Sequence, residues 1–188
     1  SPGNFKLKSV GDLEQLREAG LTQLYIGLES GDDEVLRRIR KGHTQDELVE
    51  LCAKATAAAM KLSVTVILGL GGPRLSRRHA GETARLIDRV RPRFASALTL
   101  MLGERRPSFE EVFDDPEWRL LDPEEVLREL RVIVENVNED GIIFRSNHAS
   151  NYLALAGTFA KNKAGMLAEI DRALHGGTEL RPEGWRGL

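Results

Sequence analysis

Leu24-Tyr25-Ile26-Gly27-Leu28-Glu29-Ser30-Gly31-Asp32-Asp33-Glu34-Val35-Leu36-Arg37-Arg38-Ile39-Arg40-Lys41-Gly42 is the stretch whose reading decides the fold. Leu24 to Leu28 is a short apolar run with the aromatic and β-branched residues of a buried strand. It stops abruptly in a carboxylate, a hydroxyl and a glycine, so polar chemistry sits at the strand's C-terminal tip. The acids at 32 to 34 open a helix where the positive end of the dipole favours them; Arg37, Arg38, Arg40 and Lys41 crowd its end, and Gly42 closes it. This is a strand-loop-helix unit whose loop can hold a ligand.

Working outward, Phe5 to Lys8 reads as a short strand, and Ser9 caps a helix with Val10, Leu13 and Leu16 on one face and Gly20 at its end. Thr44 caps a longer helix to about Met60, whose stripe of Leu48, Leu51, Cys52, Ala55 and Ala59 faces a core. Leu62 to Leu68 is a second buried strand and Ser76 to Val90 the helix behind it, with Thr83, Leu86, Ile87 and Val90 inward; Phe94 to Met101 is a third strand. Strands alternating with helices of this length predict parallel βαβ units. Gly103 to Leu121 has no clear period and reads as an excursion across a barrel mouth. A helix after Asp122-Pro123 carries Val126, Leu127, Leu130, Ile133, Val134 and Val137 on one side; Ile142 to Phe144 is a short strand, and Lys161 to Leu174 a last helix with Leu167, Ile170 and Leu174 on its face. The Gly/Pro-rich end from Gly176 reads as a mobile tail. The domain expectation is thus βα units over 1–102, an extension over 103–175 and the tail over 176–188.

The 188 residues, 41% hydrophobic and 30% charged, suit one globular domain with a sizeable core and exclude wholesale disorder. A formal net charge of −2 gives no overall attraction to nucleic acid or to an anionic membrane, and neither is an expected partner. The longest apolar stretch, near Val64 to Leu70, is far short of the about 20 residues that span a bilayer, and no signal-peptide pattern stands at the start, so a cytoplasmic location is expected. A single cysteine, Cys52, excludes an internal disulfide, and the chain starts at Ser1, as a processed product or a piece of something longer would.

The string from Leu24 to Gly42, then VTVILGLGG at 64–72 and FRSNHASNYL at 144–153, resembles the later part of a radical S-adenosylmethionine (SAM) enzyme core, over about Phe5 to Leu174. The resemblance implies an α/β fold, the C-terminal portion of a partial (β/α) TIM-like barrel. The family's cluster motif, C-x-x-x-C-x-x-C, is absent, and one cysteine cannot supply three thiolates. The resemblance therefore also implies a partner, the missing N-terminal half of the barrel, whose cysteines outside this chain would ligate a four-iron four-sulfur cluster. The implied activity is reductive cleavage of SAM to a 5'-deoxyadenosyl radical that abstracts hydrogen from a small-molecule or otherwise unknown substrate. Two other classes compete: a non-catalytic remnant or partner-binding module of the same fold, and an unrelated barrel enzyme binding phosphate at the glycine-rich loop.

Ligands of α/β sheets sit beyond the carboxyl ends of parallel strands, where Glu29 and Ser30 fall. A carboxylate there can accept both hydroxyls of a ribose, and the resemblance implies the same SAM-binding role; a capped helix start with a solvated acid is the alternative. A basic residue after this strand would pair with the SAM carboxylate. Spacing does not choose among Arg37, Arg38, Arg40 and Lys41, and Lys41 is the candidate carried forward. Gly69-Leu70-Gly71-Gly72-Pro73 closes the second strand, where Gly69 and Gly71 permit close backbone approach to an adenine or a phosphate. Set against the family's G-x-I-x-G-x-x-E, Ile67 and Gly69 match, Thr65 replaces the first glycine and Gly72 stands where the acid would be; Ile67 is then a candidate adenine contact. Arg145, Asn147, His148 and Asn151 form the candidate catalytic group: the His148 imidazole could move a proton, and the amides could orient a polar substrate. Helix capping and plain hydrogen-bonded structure are the competing explanation. Arg74, Arg77, Arg78, Arg105 and Arg106 could favour an anionic substrate, with solvated surface charge the commoner explanation.

Overall fold

The computed structural model describes residues 6–103 and 106–187. Strands β1 (Gln23–Glu29), β2 (Lys61–Leu68), β3 (Phe94–Thr99), β4 (Ile143–Arg145) and β5 (Ala156–Thr158) lie in one sheet in that order. The first four are parallel and β5 runs antiparallel to β4. Helices α1 (Val10–Glu18), α2 (Asp33–Arg38), α3 (Gln45–Ala57), α4 (Gly72–Val90), α5 (Arg106–Phe113), α6 (Pro123–Asn136) and α7 (Lys163–Leu174) complete the chain with a 3-10 turn at Glu183–Trp185. This is the open, parallel-dominated sheet of a partial TIM-like barrel.

Alternation along the strands assigns two unequal faces. Ile26 and Leu28, Leu62, Val64, Val66 and Leu68, and Ala95 and Ala97 are buried in one continuous apolar cluster with the inward sides of α3, α4, α6 and α7. Tyr25, Thr65, Ile67, Ser96 and Leu98 point to the opposite face and keep partial or full exposure. That uncovered face is the barrel interior. Among the described residues β1 has no strand on its outer side, and Tyr25 is 77% exposed there.

The helix starts follow local chemistry. Ser9 with Asp12, Thr44 with Glu47 and Asp122 with Glu125 form capping boxes, each satisfying two amides at a helix start. Several expectations are corrected. Lys6 and Leu7 form a turn and not a strand, while Phe5 lies outside the described residues. Ala59 is exposed with φ +55°, because α3 has already ended at Ala57 and Ala58 takes the buried place. α4 begins at Gly72, four residues ahead of Ser76, and β3 ends at Thr99, short of Met101. The aperiodic stretch after Gly103 contains α5, and β5, only three residues long, is too short to show a period in the sequence.

Candidate functional site at the carboxyl ends of the parallel strands

A cavity of about 280 Å³ lies where the uncovered face meets the strand tips, walled by Ile39, Ile67, Leu70, Leu98, Leu100 and Phe109, with Glu29, Thr99, Met101 and Ser150 completing it. Its walls are apolar and its one carboxylate comes from the end of β1.

Glu29 is positioned by a break in the strand. The pairing of β1 with β2 slips between Gly27 and Glu29, and Glu29 adopts φ +66°, a backbone conformation that costs a non-glycine residue about 1 kcal/mol or more. The side chain folds back over Gly27, where a Cβ would lie 2.3 Å from Glu29 Oε1. Lys41 Nζ donates to Glu29 Oε1 at 2.8 Å, with the lysine side chain only 15% exposed. The other three cations after β1 are placed differently. Arg38 donates to Glu34 and to the carbonyls of Phe113 and Asp114, holding α2 to the end of α5; Arg37 lies 3.6 Å from Glu34, and Arg40 lines a polar recess with Arg37 and Asp114.

Ser30 is completely buried and its hydroxyl is fully used: its oxygen accepts from Asp32 N–H at 2.9 Å, and it bonds His79 Nδ1 at 2.7 Å. Ser30 therefore shapes the loop from within, tied to His79 and to the Asp32 amide. His79, buried in α4, extends the web. Its Nε2 lies 3.1 Å from Ile67 O, an atom that can only accept, which puts a proton on Nε2. The same nitrogen is 3.5 Å from Glu129 Oε1, and that oxygen accepts Gly69 N–H at 2.6 Å. Burial pushes the Glu129 carboxyl above its ordinary value, against the opposing pull of His79, Ser76 and the Gly69 amide. Thr83 adds a bond to Gly31 N–H at 3.0 Å. Sequence reasoning assigns no polar role to His79, Thr83 or Glu129, although each interrupts the inward stripe of its helix, which is the signal that finds them.

The glycine-rich loop is glycine-rich for internal reasons. A Cβ at Gly71 would meet Leu75 Cβ at 3.0 Å, and one at Gly72, whose φ is +58°, would meet Trp118 Cδ1 at 2.6 Å. Gly69 has φ +86° and lines a second cavity of about 310 Å³ with Leu68, Leu102, Leu120, Tyr152, Glu183 and Arg186. The two cavities share Thr99, Leu100 and Met101.

The segment after β4 divides. Register pairs Arg145 with Ser96, and Ser96 with Thr65, and Thr65 with Gly27, so the exposed Arg145 shares the uncovered face. His148 is exposed; its Nδ1 sits 3.0 Å from Ser150 Oγ and accepts Ser150 N–H, leaving Nε2 free of any bond to the described residues. Asn147 is exposed. Asn151 is buried, accepting from Thr99 Oγ1 at 2.9 Å and donating to Ala97 O at 2.9 Å, so it fastens the segment to β3 and does not face a substrate. The stretch beyond Gly176 docks here: Arg181 Nη1 donates to the carbonyls of His148, Ala149 and Asn151, and Arg186 lies over the Tyr152 ring and donates to Ser150 O at 2.7 Å.

Cys52 does not fit a cluster ligand. It is buried on the core side of α3, and burial pushes its thiol up to about 12. Among the described residues no three His, Cys, Asp or Glu side chains gather as a metal site. Arg74 and Arg78 are engaged with Asp115 and Asp32, while Arg77 is exposed; Arg105 and the side chain of Arg106 lie outside the described residues. No helix among the described residues is long and apolar enough to cross a membrane.

Residues 5–87 match the family model described as the Radical SAM superfamily. Similar proteins include a probable threonylcarbamoyladenosine tRNA methylthiotransferase of Methanothermobacter thermautotrophicus, 29% identical over 107 residues, which is 50% of this chain and 25% of that protein. The tRNA-2-methylthio-N(6)-dimethylallyladenosine synthases of Thermobifida fusca and Tropheryma whipplei are each 28% identical, over 45% and 47% of this chain and 17% and 18% of their own lengths. The chain thus spans a quarter or less of the length of these curated relatives.

Proposed function

The chain carries a radical SAM segment over residues 5–87, and from that premise we propose that it forms the SAM-binding wall and part of the substrate wall of a radical SAM enzyme core. The observation that supports this most is the Glu29–Lys41 pair at the tip of β1, beside an apolar cavity at the carboxyl ends of parallel strands. Glu29 accepts the ribose hydroxyls, Lys41 meets the methionine carboxylate, and Ile67 with Leu98 and Phe109 flanks the adenine. Leu70 lines that pocket, flanked in sequence by Gly71 and by Gly69, which lines the adjoining cavity. In this family the bound cluster and SAM supply the hydrogen-abstracting radical; the residues of this chain bind, orient and shield.

Cluster ligation belongs to cysteines outside this chain, since Cys52 cannot serve. An N-terminal half of the barrel pairs with the open edge of β1, whose amides and carbonyls have no strand partner among the described residues. On the substrate side, Arg145 on the uncovered face and the exposed His148 and Asn147 meet a polar molecule with an abstractable C–H bond. Modified tRNA adenosines name the relatives' reactions and are among the substrates to assay, although a net charge of −2 gives this chain no bias toward a polyanion.

The test is calorimetric SAM binding and release of 5'-deoxyadenosine by the full-length gene product after anaerobic cluster reconstitution. SAM binding weakened by Glu29→Ala relative to the parent carries the reading. A full-length protein that neither holds a cluster nor binds SAM would mark a non-catalytic remnant with the same fold.

A further inference from the structure

The loop closing the second strand has Gly72 where α4 begins. A side chain is sterically excluded there. The backbone is left-handed at φ +58°, and a Cβ would enter the ring of Trp118, which is held by its own bond from Nε1 to Leu70 O at 3.1 Å. The loop nevertheless has a carboxylate. Glu129, 60 residues beyond Gly69 and in the middle of α6, reaches the loop from behind: Oε1 accepts the Gly69 amide at 2.6 Å and Oε2 accepts Ser76 Oγ–H at 2.5 Å. Glu129 is 1% exposed, and burying a carboxylate costs free energy that an apolar side chain would not. The acid is better explained by what it holds. Gly69 sits at φ +86° with its amide turned to Glu129, and without that acceptor a buried N–H would be orphaned and the turn free to relax.

We propose that Glu129 is the positioning carboxylate of the β2 loop, delivered from α6 because Trp118 leaves no room for a side chain at position 72. Through His79, whose Nε2 faces the same Oε1 and whose Nδ1 holds Ser30, it ties the β2 loop to the β1 loop. One buried web thereby sets the spacing between Glu29 and the Ile67–Gly69 edge. Glu129 touches no ligand; it acts through the Gly69 amide. The inference rests on the SAM reading above.

The experiment measures SAM affinity by calorimetry, thermal unfolding and hydrogen exchange at the Gly69 amide in the reconstituted full-length protein. Glu129→Ala is expected to bind SAM at least tenfold more weakly and to exchange Gly69 faster. Glu129→Gln, which keeps an acceptor for Gly69 and turns its amide toward Ser76, is expected to bind SAM as the parent does. Ser76→Ala frees only the outer oxygen and serves if Glu129→Ala fails to fold; it is expected to weaken SAM about threefold while unfolding near the parent temperature. Parent-like SAM affinity in a folded Glu129→Ala overturns the inference, and where Glu129→Ala does not fold, parent-like affinity in Ser76→Ala overturns it. A parent that binds no SAM overturns the SAM reading instead.

Discussion

Lys41 Nζ lies 2.8 Å from Glu29 Oε1, and the pair rests on the bare face of Gly27. A side chain at 27 would occupy the space of the Glu29 carboxylate, so the glycine is part of the site. Glu29→Ala in the full-length protein is expected to weaken SAM by about 1.5–3 kcal/mol, the range for hydrogen bonds to a charged group. Glu14→Ala, on the exposed side of α1, is the control. Equal losses in the two variants would reduce the Glu29 effect to general destabilisation.

Gly31 and Gly81 offer opposite outcomes for one substitution. A Cβ at Gly31 would lie 2.2 Å from the carbonyl oxygen of Glu82 in α4, whereas one at Gly81 meets nothing within 4 Å. Gly31→Ala should destabilise by about 1–3 kcal/mol through overpacking, and Gly81→Ala should stabilise by about 0.5–1 kcal/mol through helix propensity. Denaturant melts of both variants check this, and a neutral Gly31→Ala would mean that the β1 loop does not pack closely on α4.

The Cys52 thiol, with its pKa pushed to about 12 by burial, should resist an aromatic disulfide reagent at pH 8 in the folded chain and react on unfolding. Iron and sulfide added to this chain alone should give no stoichiometric cluster. Rapid labelling of the native thiol would contradict the placement of α3.

Glu129 has a carboxyl pKa raised by burial, so the folded state holds its proton to higher pH than the unfolded chain does. The sign follows from linkage: its contribution is full below the ordinary glutamate value of about 4.3 and declines as pH rises from there to the folded value. Glu129→Gln should remove that decline. Asp32 behaves oppositely. Burial opposes its charge, but the bond from Arg78 and the amides of Val35 and Glu34 prevail and hold it below the usual range, so its contribution is present above about 3.9 and lost as pH falls through the lowered value. Urea midpoints of the two variants, Glu129→Gln and Asp32→Asn, across pH 3 to 8 check both slopes; a pH profile unchanged by Glu129→Gln would refute the first.

His148 has Nε2 open to solvent and Nδ1 occupied by Ser150. His148→Gln should leave SAM affinity, substrate-independent SAM cleavage and melting temperature near the parent values while slowing turnover about 100-fold or more. Loss of SAM cleavage with folding and cluster content intact would show that the segment after β4 does not belong to the substrate side.

Local order was legible because it is local. The caps at Ser9, Thr44 and Asp122, the stripe on α6, and strands β1 to β3 each write their period or their cap within a few residues, and the stretch from Leu24 to Gly42 announces a strand-loop-helix unit unaided. Even Lys41 could be proposed from the chain, though only the fold separated it from Arg38, which is drawn away by the carbonyls at the end of α5. The fate of Ser30 and Asn151 was not legible: a hydroxyl or amide beside a strand tip looks the same in sequence whether it faces a ligand or a buried partner. That choice is made by residues 49 and 54 positions away, His79 and Ala97. Gly72 and Glu129 obey the same physics, since neither the indole that excludes a side chain at 72 nor the amide that calls for an acid at 129 is near in sequence. Periodicity and capping are short-range and determine the elements; steric exclusion and the pairing of buried polar groups are long-range, and only the tertiary structure decides them.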